Sequence, residues 1–80
     1  MILSYCNGIL GDGKRHRVNA TVTTNHPASH YGQPVVVLED GNALDFASWV
    51  LCQYRVERVS KRDQEQLRRV FDLWSLMSPR

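Results

Sequence analysis

Residues 60–77 have the sequence SKRDQEQLRRVFDLWSLM, which carries the strongest secondary-structure signal in the chain. Its apolar side chains recur at the spacing of one helical face, at Leu67, Val70, Phe71, Trp74 and Met77. Ser60 suits a helix N-cap, and the acid Asp63 lies near the positive end of the helix dipole. The stretch therefore predicts an amphipathic helix with one face in a core, ended by Pro79.

Three stretches on the N-terminal side of this helix have the pattern of β-strands. Residues 2–6 are rich in strand formers, residues 17–23 alternate polar and apolar side chains, and residues 35–38 form the apolar run VVVL. The apolar run predicts a central strand that is covered on both faces. The turn sequence EDGN at residues 39–42 follows it, and residues 43–44 are expected to pair back briefly.

Residues 45–54 predict a second helix, which Asp45 caps at its N-terminus. Residues 46–54, FASWVLCQY, are apolar on nearly every side of a helix, and such a helix is expected to be buried between layers. Residues 55–59 alternate polar and apolar side chains and are predicted to form an extended connector into the last helix.

The order of these elements predicts an α+β fold, a three-stranded antiparallel β-meander followed by two helices packed on one face. The expected core contains Trp49, Trp74, Val18, Val22 and residues 35–38. The 80 residues are enough for one compact domain, predicted over residues 1–77, with residues 78–80 as a flexible C-terminal tail.

The composition indicates a globular protein, with 42% hydrophobic and 22% charged residues. The net charge of +2 is too small to imply by itself a nucleic-acid or membrane partner. No apolar run has the length of a membrane span, and the first residues lack the pattern of a signal peptide. A cytoplasmic protein without a membrane partner is therefore expected. Cys6 and Cys52 lack metal-site spacing and are predicted to be reduced core residues.

Gly8, Gly13 and Lys14 match the nucleotide-binding pattern GxxxxGK[ST] up to its last position. That position requires a hydroxyl as a magnesium ligand, but the chain has Arg15 there. The pattern also requires a helix after the lysine, whereas residues 17–23 have a strand pattern. These differences favour a glycine-rich hairpin loop and predict no nucleotide cofactor.

Candidate chemistry is confined to the loop at residues 24–34. One helical turn there would bring His26 and His30 together as half of a metal site, completed by a third ligand from elsewhere. The alternative is that both histidines face water. Ser29 beside His30 lacks a third orienting group, and neither paired carboxylates nor an HExxH motif occurs. The sequence therefore predicts no enzyme, no catalytic residue, no cofactor and no bound metal.

The C-terminal helix and the loop at residues 24–34 are the predicted binding surfaces. On the helix, Leu76 lies within the polar side and Leu73 at its edge, so these residues are expected either to meet a partner or to be covered by the N-terminal strand. The predicted partner-binding residues are Leu73, Leu76, Met77, His26, His30 and Tyr31. The sequence thus predicts a small protein-binding module without catalysis, whose partner is another protein or a second copy in a homodimer.

A basic strand supports an alternative function, that of a small nucleic-acid-binding protein. Alternation along residues 14–23 places the polar side chains on one face, and phosphate contacts from arginine and lysine would dominate its affinity. The residues of this candidate interface are Lys14, Arg15, Arg17, Asn19, Thr21 and Thr23. The face has no aromatic residue on which single-stranded bases stack, and a solvated sheet face has the same pattern.

Overall fold

The described part of the computed structural model, residues 1–6 and 13–77, forms a β-sheet with helices on one side. The strands are β1 (Ile2–Cys6), β2 (Arg15–Thr23), β3 (Val35–Leu38), β4 (Ala43–Leu44) and β5 (Arg55–Arg58). The helices are a 3-10 turn (His30–Gly32), α1 (Phe46–Leu51) and α2 (Lys61–Met77). The predicted α+β class is confirmed, with an antiparallel sheet and a C-terminal helix.

The strands of the described residues pair in the spatial order β4-β3-β2-β1-β5, and every neighbouring pair is antiparallel. Residues that oppose each other across two strands point to the same side of a sheet. Leu3 is opposed by Val18 in β2 and by Val56 in β5, and Val36 is opposed by Leu44 in β4. These apolar residues define the helix face of the sheet, against which α2 packs. The other side is called the open face.

The core lies between the helix face and α2. Leu67 and Val70 of α2 are only 4% and 2% exposed, and Leu3 and Val36 of the sheet are fully buried. The apolar face predicted for this helix is therefore confirmed from Leu67 to Trp74, and the side chain of Met77 lies outside the described residues.

Both predicted N-caps are present. The Ser60 hydroxyl oxygen accepts a hydrogen bond of 3.2 Å from the amide of Asp63, and the Asp45 carboxylate accepts one of 2.7 Å from the amide of Ser48. This second bond stabilises the charged carboxylate and holds the pKa of Asp45 below its usual 3.8. The predicted end of α2 and the flexible tail, at residues 78–80, lie outside the described residues.

The prediction of a three-stranded meander is wrong, because the described residues form five strands. Residues 43–44 pair back on β3 as predicted and add one edge. Residues 55–58, which were expected in a connector, form β5 and pair with β1 at the other edge. Val56 faces the core, while its charged neighbours suit a sheet edge. So short an alternation cannot be distinguished from a connector by its pattern.

The second predicted helix is neither long nor buried, so the expected layer of two helices is wrong. α1 has six residues and ends before Gln53, whose φ of 52° is left-handed. Phe46, Val50 and Leu51 are 40%, 57% and 73% exposed, while Trp49 is half-buried. The chain crosses here from β4 at one edge of the sheet to β5 at the opposite edge. This crossing leaves few residues for a helix, and only one side of α1 packs against the core.

The prediction that β3 is covered on both faces is also wrong. Val36 is fully buried toward α2, whereas Val35 and Val37 are half-buried on the open face. Thr21 and Thr23 oppose these two valines from β2. A run of apolar residues is therefore compatible with a sheet that is covered on one side, because polar neighbours share the other.

Candidate partner-binding site

A groove lies between the loop at residues 24–34 and the C-terminal half of α2, with a volume of about 320 Å³. The loop contributes Ala28, His30, Gln33 and Pro34, and α2 contributes Val70, Leu73 and Trp74. Two of the predicted partner-binding residues, Leu73 and His30, thus line the same cavity. It is called the loop–helix groove below.

His26 anchors the loop from within. Its Nε2 hydrogen donates to the carbonyl of Gly41 at 2.9 Å, and its Nδ1 accepts the amide of Ala28 at 3.0 Å. A backbone N–H at Nδ1 requires the proton of the neutral ring to sit on Nε2. Both ring nitrogens are engaged, which leaves no lone pair for a metal half-site with His30. Among the described residues, no group of three or more His, Cys, Asp or Glu side chains could hold a metal ion.

Tyr31 projects from the 3-10 turn and is 99% exposed. Its φ of 57° and ψ of 30° are left-handed, which is unusual for a bulky residue, and Gly32 follows with a φ of 71°. The hydroxyl of Ser29 donates to the carbonyl of Gln33 across this turn. Ser29 is thereby used in holding the loop, which presents an aromatic ring beside the groove.

Large apolar side chains of α1 and of the end of α2 are exposed. Leu76 is 84% exposed, so β1, which lies inside the sheet between β2 and β5, does not cover it. Phe46 lies against Trp74, with ring centroids 5.9 Å apart, and so links the two helices. The four exposed residues Phe46, Val50, Leu51 and Leu76, together with the half-buried Leu73, are called the apolar surface. Met77 is the last residue of α2, and its side chain lies outside the described part.

The α1 members of the apolar surface were missed from the sequence. Phe46, Val50 and Leu51 belong to a stretch that is apolar on all sides, and this pattern predicts burial without saying against what. The same pattern is typical of a helix that is buried by a partner chain. This second interpretation of the pattern was the sequence signal that could have identified Phe46, Val50 and Leu51 as exposed residues.

A cluster of aromatic rings packs α1 against α2 and the sheet. The ring centroid of Trp49 lies 5.2 Å from that of Phe71, and 5.6 Å from those of Trp74 and Tyr54. Tyr54 stacks in turn on Tyr5 of β1 at 5.3 Å. Offset and edge-on ring contacts at these distances are favourable beyond the area they bury. They hold α1 in one orientation against α2 and the sheet.

The predicted basic interface lies on the open face, and its residues are used in different ways. The exposed members are Lys14, Arg17, Asn19 and Thr21. Arg15 is half-buried. Its Nη1 donates to the Ser4 hydroxyl at 2.9 Å, and its Nη2 donates to the carbonyl of Gln53 at 3.0 Å. Arg15 therefore joins β2 to β1 and to the turn before β5.

The two cysteines are neighbours across the fold. The amide of Cys6 donates to the carbonyl of Cys52 at 2.8 Å, and both side chains are half-buried free thiols. Their separation of 46 positions in the sequence gives no sign of this proximity.

The segment that resembles a nucleotide-binding loop leads into a strand. β2 begins at Arg15, directly after Lys14, where that loop would require a helix. The glycine-rich hairpin predicted for the segment falls largely on residues 7–12, which lie outside the described residues.

Comparison of the chain with protein-family models, with curated proteins and with solved structures finds no match. None of the helices in the described ranges is long and apolar enough to cross a membrane.

Proposed function

We propose that this chain is a protein-binding module without catalytic activity, which associates with a second copy of itself through the apolar surface and the loop–helix groove. The observation that carries the proposal is the exposure of Val50, Leu51 and Leu76, at 57%, 73% and 84%. Large aliphatic side chains that are exposed to this degree on a small domain are typical of interaction sites. Burying one such aliphatic side chain contributes about 1.5 to 3 kcal/mol.

A second copy fits because the projecting residue and the cavity lie on the same helix. Leu76 projects from α2 one turn beyond Leu73, which lines the groove. A two-fold axis near Leu73 sets Leu76 of one copy beside Val70 of the other, since the two positions are three residues on either side of the axis. Val70 forms part of the groove floor and is only 2% exposed, so Leu76 of the other copy enters the groove at this level and does not pack on an exposed Val70 side chain. Such a contact is self-complementary, as a two-fold interface requires.

The rim of the groove is compatible with this pairing. Arg69 and Asp72 are both exposed and line the shallow extension of the groove next to Leu73. Because the rim carries one charge of each sign, two copies related by a two-fold axis are not forced to oppose like charges. Tyr31 lies in the turn at the other rim, where an aromatic side chain gives a large contact area with few rotatable bonds.

The engaged side chains of the loop support a function without catalysis. Ser29 donates to Gln33, and both nitrogens of His26 are bonded within the protein. A nucleophile and a general base would need these groups to be available to a substrate. In the loop they instead maintain the shape of the groove wall.

Sedimentation equilibrium on the purified chain tests the proposal. We expect a monomer–dimer equilibrium, and we expect Leu76→Glu to raise its dissociation constant by about tenfold to a hundredfold. Gln64→Glu is the matched control, because it adds the same charge to an exposed position near the other end of α2. A wild-type chain that stays monomeric at high concentration overturns self-association, as does a dimer that Leu76→Glu leaves unchanged.

A further inference from the structure

The open face carries a cluster of arginines that the proposed dimer does not use. Ser4 of β1 is opposed by Arg17 on one side and by Arg55 on the other. A register shift between Ile2 and Leu3 sets Arg58 opposite Ile2, although Arg58 follows the core-facing Val56 by two positions. Opposed residues share a face, and Ser4 and Ile2 lie on the face away from α2. Arg17, Arg55 and Arg58 therefore gather around β1 on the open face, and all three are exposed. They are called the arginine patch.

The guanidinium groups of the arginine patch are available to a ligand. No hydrogen bond or ion pair ties them to another residue within 1–6 and 13–77. The neighbouring acid, Glu57, is engaged, because its Oε1 accepts the hydroxyl hydrogen of Ser4 at 2.5 Å. Arg15, the fourth arginine on these strands, is held by Ser4 and Gln53. The fold thus satisfies one arginine and leaves three facing solvent.

We propose that the arginine patch binds the phosphate backbone of double-stranded DNA. A guanidinium group binds phosphate through two parallel hydrogen bonds, and it stays charged at every physiological pH. Asn19 and Thr21 are exposed beside the patch on the same strand face, where an amide and a hydroxyl donate to further phosphate oxygens. The contacts are to backbone, so the binding is independent of base sequence.

The spacing of the patch favours the DNA duplex. Two strand spacings separate Arg17 from Arg55, which places their Cα atoms about 10 Å apart. The long side chains of two arginines at this separation can reach phosphates on the two sides of the major groove of B-DNA, which is about 12 Å wide. The major groove of an RNA duplex is too narrow and deep for the same arrangement.

The rest of the open face argues against two other polyanions. Within residues 1–6 and 13–77, no strand residue on this face is aromatic, so the described part of the face offers single-stranded bases no ring on which to stack. The apolar residues described on this face, including Ile2 and Val37, are half-buried, so none of them is an exposed anchor that could insert into an anionic membrane.

Fluorescence anisotropy with a labelled mixed-sequence DNA duplex tests the inference. We expect a dissociation constant on the order of 10 µM at low salt, and a slope of about −3 for the logarithm of the association constant against the logarithm of salt concentration. The triple variant Arg17→Gln, Arg55→Gln, Arg58→Gln should weaken binding by about a hundredfold. Each single variant should lower the salt slope by about one.

The matched control is the triple variant Lys61→Gln, Arg62→Gln, Arg68→Gln, which removes the same charge from exposed positions of α2 on the other side of the sheet. Circular dichroism melting verifies that both triple variants are folded. Binding that falls in the patch variant alone supports the inference. An equal loss in both variants overturns it, because net charge would then explain the binding. Equal affinity for duplex RNA, for single strands or for anionic phosphatidylserine vesicles also overturns it.

Discussion

The indole rings of Trp49 and Trp74 lie 5.6 Å apart between centroids, at an interplanar angle of 52°. This contact joins α1 to the C-terminal half of α2. The other large apolar residues of α1, Phe46, Val50 and Leu51, are exposed to different degrees. The position of α1, which carries three residues of the apolar surface, therefore depends mainly on Trp49.

Trp49→Ala is expected to lower the free energy of unfolding by about 3 kcal/mol, the low end for a tryptophan truncation because the ring is half-buried. Urea unfolding followed by circular dichroism measures the change. Val50→Ala is the control, since an exposed side chain should change the free energy of unfolding by less than about 0.5 kcal/mol. Similar losses in both variants would show that Trp49 does not anchor α1.

Ser4→Ala tests the polar network under the open face. Ser4 is 1% exposed, accepts a hydrogen bond from Arg15 and donates one to Glu57. The variant removes both bonds and leaves two charged groups without their buried partner, so we expect a loss of about 1 to 3 kcal/mol in the free energy of unfolding. Ser75→Ala, at an exposed position of α2, should cost less. The network has no structural role if the two variants unfold at the same urea concentration.

The sequence was sufficient to predict the elements that depend on interactions between residues close together in the chain. The alternation in residues 17–23 and the helical spacing from Leu67 to Trp74 each reflect one buried side, and Asp45 and Ser60 cap helices through bonds to amides three residues on. β5 was missed because four residues alternate equally well in an edge strand and in a connector. What separates these two is pairing with β1, which is a tertiary property.

The groove could be predicted only in part for the same reason. Leu73 and His30 were identified from an exposed helix edge and an unusual loop, but their common cavity depends on how the loop folds back onto α2. The bond from His26 to Gly41 spans 15 positions and has no sequence signature. Residues 55–59 were likewise predicted to form a connector, and the register of β5 places Arg55 and Arg58 beside Arg17.

The pKa of the Tyr54 phenol is raised above its usual 10.0, mainly by burial, with the neighbouring Cys52 and Tyr5 adding to the shift. The folded state therefore holds this proton more tightly than the unfolded state. The stabilising contribution is complete below pH 10 and is lost as the pH rises through 10 toward the pKa of the folded state. Unfolding at a series of alkaline pH values should show this loss, and Tyr54→Phe should reduce it. Phenolate absorbance that develops for Tyr54 at or below pH 10 would contradict the burial effect.

His26→Phe tests whether the loop wall of the groove is held by the imidazole. The ring donates from Nε2 to Gly41 and accepts at Nδ1 from Ala28, and each bond contributes about 1 kcal/mol net, so the variant should lose about 2 kcal/mol in the free energy of unfolding. His30→Phe is the control, because His30 is exposed and lines the groove without such bonds to the β3–β4 turn.

The hydrogen bonds of His26 predict which of its ring nitrogens carries the proton, and this can be measured on the wild-type chain. A long-range ¹H–¹⁵N correlation spectrum should show a protonated Nε2 and an unprotonated Nδ1, since an amide hydrogen already occupies the Nδ1 side. Added zinc should leave both resonances in place, because binding at either nitrogen would break a bond that shapes the loop. The opposite tautomer would show that other bonds hold the loop. A zinc-dependent shift of the Nδ1 resonance would support His26 and His30 as metal ligands.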